Sequence, residues 1–264
     1  MRRILLIVSL LMVLSATPAL AVKNGNLDGD EHPMVGLMVA LDSAGAPLWR
    51  CSGTLISPTV YLTAGHCTEA PAARATIWFD ADVESGIPEN GYPFQGDVSG
   101  TAYTHPQYDP NAFFVRDVGV VVLDRPYRVA EYGKLPKLNE LEKYKTKRGL
   151  NKLRFDSVGY GLQKSFPDAA SWKDQADRVR MVAHPRLIQM NVPGFTGNFS
   201  LLLSNNKNTG GTCFGDSGGP NFIAGSNVVA GVTSFGVNGN CAGTGGVFRM
   251  DRSWSLRWVN SFLR

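Results

Sequence analysis

Short runs of β-branched and aromatic residues, each closed by Gly, Pro, Asn or Asp, recur along most of this chain. Met34 to Leu41, Val60 to Ala64, Thr76 to Phe79, Val118 to Leu123, Val179 to Val182 and Val228 to Phe235 all fit the pattern. Runs of this length suit strands and fall short of an ordinary helix. Among 264 residues, 29 Gly and 15 Pro supply the turns between them. The spacing predicts an all-β sandwich or barrel and argues against alternating βαβ units. At 44% hydrophobic and 18% charged residues, the chain can fill a core, which excludes the disordered, collagen-like and coiled-coil classes. No repeat of solenoid or propeller length is present.

Both ends depart from this rhythm. Arg2-Arg3, the apolar run Ile4 to Leu14 and the small residues of Ala19-Leu20-Ala21 form a secretory signal peptide over residues 1–21, with a mature start at Val22. The predicted product is secreted, with no membrane span left after cleavage. Loss of both signal arginines lowers the formal net charge from +4 to +2, too small an excess to suggest nucleic acid or anionic membrane as partner. At the other end, Trp254, Trp258 and Phe262 recur every fourth residue beside Val259 and Leu263. This predicts a helix within residues 251–264 that packs one face on the strands and leaves Arg252, Arg257 and Arg264 to solvent. Residues 131–152, with Lys134, Lys137, Lys143, Lys145 and Lys147 diluted by Glu131, Glu140 and Glu142, read as a solvated linker between two β units.

Export gives Cys51, Cys67, Cys213 and Cys241 a meaning, since an even set in an oxidising compartment implies two disulfides. Three pairings are possible, and loop-closure entropy favours Cys51 with Cys67 and Cys213 with Cys241. A zinc site from Cys51, Cys67 and His66 competes, but it lacks the C-x-x-C spacing of structural zinc.

The chemistry begins at Ser217 in Gly215-Asp216-Ser217-Gly218-Gly219-Pro220. Flanking glycines allow a sharp turn and a close approach of substrate to backbone amides. The segment also satisfies G-x-S-x-G, whose α/β-hydrolase owners need a histidine after the serine. All four histidines (His32, His66, His105, His184) precede Ser217, which removes that class. His66, in Thr63-Ala64-Gly65-His66-Cys67, is the candidate general base, since its ordinary pKa lies near working pH. Asp117, at the head of an apolar run, is the candidate orienting carboxylate, with Asp124 at the far end weaker.

These three blocks, in the order His, Asp, Ser, resemble the chymotrypsin/trypsin family of serine endopeptidases. Val158-Gly159-Tyr160-Gly161, Ser234-Phe235-Gly236 and the terminal helix extend the likeness over nearly the whole mature chain. The resemblance implies two six-stranded antiparallel β-barrels, residues 22–130 and 153–250, with a C-terminal α-helix and the active site in the cleft between them. It implies Ser217 as nucleophile, His66 as general acid/base, Asp117 as orienting carboxylate, and the N–H groups of Gly215 and Ser217 as oxyanion hole. It matches the short-range disulfide pairing. It also implies that Asp216 pairs with a freed α-amino group, here that of Val22 once the signal is cut. The base of the specificity pocket falls at Gly211, beside Thr212, with Ser234, Phe235, Gly236 and Gly246 around it. No acid stands there, so the expected preference is for large apolar or aromatic side chains over Lys or Arg. The implied partners are polypeptide substrates and protein inhibitors of a monomer that needs no cofactor and holds no metal. A catalytically silent binding protein and an exported esterase are the rival readings. Asp80, Asp82 and Glu84 read as a solvated loop before an ion site. Asn198-Phe199-Ser200 is a glycosylation sequon, and His32, His105 and His184 carry no motif.

Overall fold

The computed structural model describes residues 21–145, 153–163 and 177–263, so the signal run and the end of the linker lie outside the described residues. Seven strands come from the first half: β1 (Asn26–Leu27), β2 (Val35–Leu41), β3 (Pro47–Ser57), β4 (Val60–Thr63), β5 (Arg74–Trp78), β6 (Val98–Thr104) and β7 (Gly119–Leu123). Six of them close into an antiparallel barrel in the order β2-β3-β4-β7-β6-β5, which leaves that sheet no open edge. Every residue of β2 is buried, so both of its faces are covered and the usual polar alternation is missing.

The second half contributes β8 (Phe155–Gly159), β9 (Met181–Ala183), β10 (Leu187–Val192), β11 (Gly197–Asn205), β12 (Pro220–Ile223), β13 (Val229–Gly236) and β14 (Gly243–Arg249). Here the structure differs from a second six-stranded barrel. These strands form an eight-stranded sheet in the order β1-β9-β8-β12-β13-β14-β11-β10, and among the described residues its two ends are not joined. The eighth strand is β1, which pairs Asn26 with Val182 and Leu27 with Met181. The start of the chain therefore belongs to the second sheet, not to the first barrel, because it satisfies the open backbone groups of β9. Arg180, fully buried just before β9, strengthens the join: its Nε meets Asp28 Oδ2 at 2.9 Å, and its Nη1 donates to the carbonyls of Val35 and Phe79 in the first half.

The linker is more engaged than a solvated connector. Gly133 N–H donates to Leu55 O, Val229 N–H to Lys134 O, and buried Leu141 donates its N–H to Asp251 Oδ2. The C-terminal helix spans Ser253–Asn260, shorter than 251–264, and packs as its apolar stripe requires. Trp254 lies 5.5 Å from Phe248 of β14, Trp258 5.1 Å from His105 after β6, and Phe262 5.3 Å from Tyr103. The helix thus clamps both halves. Cys51–Cys67 and Cys213–Cys241 are bonded as expected.

Candidate active site

Strand pairing brings His66 and Asp117 together. Thr63, the last residue of β4, faces Gly119, the first of β7. His66 lies three residues beyond one and Asp117 two before the other, so both emerge at the same end of the barrel. His66 sits in a single 3₁₀ turn, Gly65–Cys67, held by the Cys51 bond. Its backbone N–H donates to Asp117 Oδ1 at 2.9 Å, and its Nδ1 lies 3.0 Å from Asp117 Oδ2. Asp117 is fully buried, and a third donor, Ser234 Oγ of β13, reaches its Oδ2 at 2.5 Å. A carboxylate so surrounded has little freedom to turn, and it fixes the imidazole with Nδ1 protonated and Nε2 facing outward. Ser234 was expected only as a pocket residue. Nothing local in the sequence marks its hydroxyl as a partner of Asp117, which lies 117 positions away.

Burial alone would lower the His66 pKa. The Asp117 charge and hydrogen bond outweigh it, Glu69 adds to them, and the net direction is upward from 6.5.

Ser217 comes from the second half. Its carbonyl accepts from Ser52 N–H of β3 at 2.8 Å, and Thr63 Oγ1 donates to Ser52 O at 2.8 Å, which ties the serine loop to the strands that carry His66. His66 and Ser217 line one cavity of about 570 Å³. Among the described residues, the N–H groups of Gly215 and Ser217 donate to no other protein group, which leaves two donors available to an incoming oxygen. Gly218 makes the turn possible. It holds φ +77°, and a Cβ there would stand 2.0 Å from Thr63 Oγ1 and 2.6 Å from Ser52 O. Gly218→Ala should therefore destabilise the fold by about 2 kcal/mol or more and displace Ser217; thermal unfolding and active-site titration check both effects.

Asp216 is buried beneath this loop. Its Oδ1 accepts from Gly161 N–H and its Oδ2 from Cys213 N–H, both at 2.8 Å. Burial pushes its pKa up to about 7, against the pull of those two donors and of Arg50. Val22 is buried with Met181 and Ala183, and the next carbonyl, that of Lys23, accepts from Gly211 N–H at 3.1 Å. With the chain continuous through residue 21, the Val22 nitrogen is an amide and carries no charge.

Of the six expected pocket residues, Thr212, Ser234, Phe235 and Gly236 line the cavity, joined by the Cys213–Cys241 bridge. Gly211 lies behind them, with the Asn205 side chain where its own would be. Gly246 is not a wall residue. A register shift after Thr233 pairs Gly236 with Gly245 and Phe235 with Gly246. Paired residues share a face and neighbours along a strand alternate, so Gly245 opens beside Thr212 while Gly246 is covered by the Phe235 ring.

The other candidates have plainer roles. Cys51 and Cys67 are joined to each other and offer no thiolate to zinc beside His66. Glu84 pairs with Arg178 of the second half, and Asp82 accepts from Ser85 N–H of its own loop, so both acids are engaged within the protein. His32 and His184 hydrogen-bond to Asp28 and Asp156, and His105 packs on Trp258.

A closed antiparallel barrel and a second sheet, meeting at a cleft that holds a serine and a His–Asp pair, define a two-lobed serine-protease architecture. A family model described as Trypsin matches residues 28–253, and the chain belongs to the trypsin family of serine proteases. Serine protease 1 of Drosophila melanogaster is 25% identical over 228 residues, covering 85% of this chain and 80% of its own. Chymotrypsin of Phaedon cochleariae is 25% identical over 263 residues, with coverages of 92% and 83%. Among solved structures, HL collagenase superposes with a TM-score of 0.70 at 18% identity, covering 91% of this chain and 97% of the other. A variant of human heparin binding protein superposes with a TM-score of 0.62 at 18% identity, with coverages of 92% and 96%. A fold shared with a protein named for binding heparin does not by itself carry activity.

Proposed function

We propose that this chain is a secreted serine endopeptidase that cleaves polypeptides through an acyl-enzyme. The observation that carries the proposal is the buried Asp117 carboxylate, which grips both the backbone and the ring of His66 in a cleft shared with Ser217. Ser217 Oγ attacks the peptide carbonyl and His66 Nε2 takes its proton. The N–H groups of Gly215 and Ser217 receive the developing oxyanion. His66 then protonates the leaving amine, and water repeats the steps in reverse roles. A fluorophosphonate should label the processed protein at Ser217, located by peptide mapping. An unlabelled, folded, processed protein supports the binding-protein alternative.

Peptide cleavage requires neutral His66, so kcat/KM falls as pH drops through its folded pKa. That pKa lies above 6.5, which places the acid-limb midpoint above 6.5. Glu69→Gln removes one of the groups that raise it and should move the midpoint down. A pH–rate profile reads both.

Activation follows from Asp216. A carboxyl buried without a full counter-charge holds its proton up to about pH 7, and a freed Val22 ammonium would stabilise the ionised form. In the uncleaved chain the raised folded pKa means that stability declines as pH rises from the ordinary carboxylate value toward 7, and then levels off. Cleavage before Val22 should remove that decline. N-terminal sequencing of the active form should give Val22-Lys23-Asn24-Gly25, and a start well downstream contradicts this. The cavity walls carry no carboxylate and are lined by Phe235 and the Cys213–Cys241 bridge, which favours large apolar or aromatic side chains before the cut bond.

A further inference from the structure

The two N–H groups assigned to the oxyanion, those of Gly215 and Ser217, sit in a loop whose carbonyls are all engaged. Cys213 O accepts from Asp216 N–H, Phe214 O from Leu162 N–H at 2.8 Å, and Asp216 O from Gly219 N–H at 2.8 Å. The remaining carbonyls, those of Gly215 and Ser217 themselves, are held by a single residue of the first half. Ser52 of β3 donates its N–H to Ser217 O at 2.8 Å and its hydroxyl to Gly215 O at 2.9 Å. It follows Cys51 and lies in none of the three sequence blocks that carry the chemistry.

The hydroxyl is oriented. Ser52 is fully buried, and its Oγ accepts from Tyr160 N–H at 3.0 Å, so its one hydrogen is directed to Gly215 O. Gly215 O belongs to the peptide that lies between the two donor peptides, and the plane of that peptide sets the angle between their N–H groups. Gly215 stands at φ +94°, and a residue without a Cβ has other conformations open to it. Removal of the hydroxyl would release this plane and leave Gly215 O and Tyr160 N–H buried without a partner.

We infer that Ser52 is a positioning residue for the oxyanion hole. Its hydroxyl fixes the Gly215–Asp216 peptide so that the N–H groups of Gly215 and Ser217 converge on one oxygen. Ser52 makes no hydrogen bond to His66 or Asp117 and does not line the substrate cavity. Its contribution therefore falls on the transition state, where the oxyanion forms, and leaves substrate binding and the titration of His66 as they were. This rests on the endopeptidase reading above, and the test separates the two.

Processed wild type and Ser52→Ala are titrated with a fluorophosphonate and assayed on a peptide amide. Each is then inhibited with the matching peptide aldehyde, whose adduct with Ser217 sets an oxygen in the hole. Ser52→Ala should lower kcat per titrated site about tenfold and weaken the aldehyde by about the same factor, with KM and the acid limb of the pH–rate profile unmoved. A kcat within about twofold of wild type, or an aldehyde bound as tightly as before, overturns the assignment and leaves the endopeptidase standing. A displaced acid limb also overturns it, because the loss would then run through His66. A wild type that takes no label overturns both readings. Should Ser52→Ala fail to fold, Ser52→Gly decides, since it opens room for a water between Tyr160 N–H and Gly215 O. Its kcat and aldehyde affinity should fall about threefold or more, and wild-type values for both overturn the assignment.

Discussion

Ser217→Ala should lower kcat by a factor on the order of 10⁶ while leaving substrate binding and the melting temperature nearly unchanged. The hydroxyl is the only part of the residue the substitution removes. Ser217 holds its place through its backbone, whose carbonyl accepts from Ser52 N–H, so the turn survives the change. The two free N–H donors of Gly215 and Ser217 also survive, and a residual acceleration over water of about 10³ should persist from them and from binding. Steady-state kinetics under active-site titration measure the loss, and fluorophosphonate labelling should vanish with it. A loss of tenfold or less would mean that another group attacks the carbonyl.

Asp117→Asn should cost about 10⁴-fold in kcat, by a different route. Both Asp117 oxygens are engaged: Oδ1 by the His66 N–H, Oδ2 by Nδ1 of the ring and by Ser234 Oγ. All three neighbours present hydrogens, and an amide can accept at only one oxygen. Its NH₂ end would face a donor, and relief comes if His66 moves its proton to Nε2. That tautomer cannot take the proton of Ser217. The same substitution removes the main group that lifts the His66 pKa, so the remaining activity should show an acid limb at lower pH than the wild type. Circular dichroism separates this from unfolding, since Asp117 is fully buried.

What could be read from the chain and what could not divide along physical lines. The gathering of His66, Asp117 and Ser217 at one cleft was legible because each lies in a local motif whose residue types the proposed chemistry demands. The disulfide pairing followed from loop length, and the terminal helix from its four-residue period. Contacts set by register were not legible. A one-residue shift after Thr233 turns Gly245 toward the pocket and Gly246 away, and no local pattern announces such a bulge. β1 joins the second sheet because β9 has an edge to fill, a fact of three-dimensional pairing. Ser234 is an ordinary strand residue in sequence, and it acquires its contact only when β13 sets its hydroxyl against Asp117.

The sharpest test asks whether the three side chains act as one device. Ser217→Ala and Asp117→Asn are combined, and kcat of the double variant is compared with each single one. If Asp117 works only by preparing His66 for Ser217, the double variant should be no slower than Ser217→Ala alone. Losses that multiply, so that the double variant falls about 10⁴-fold below Ser217→Ala, would show two independent contributions and contradict the triad.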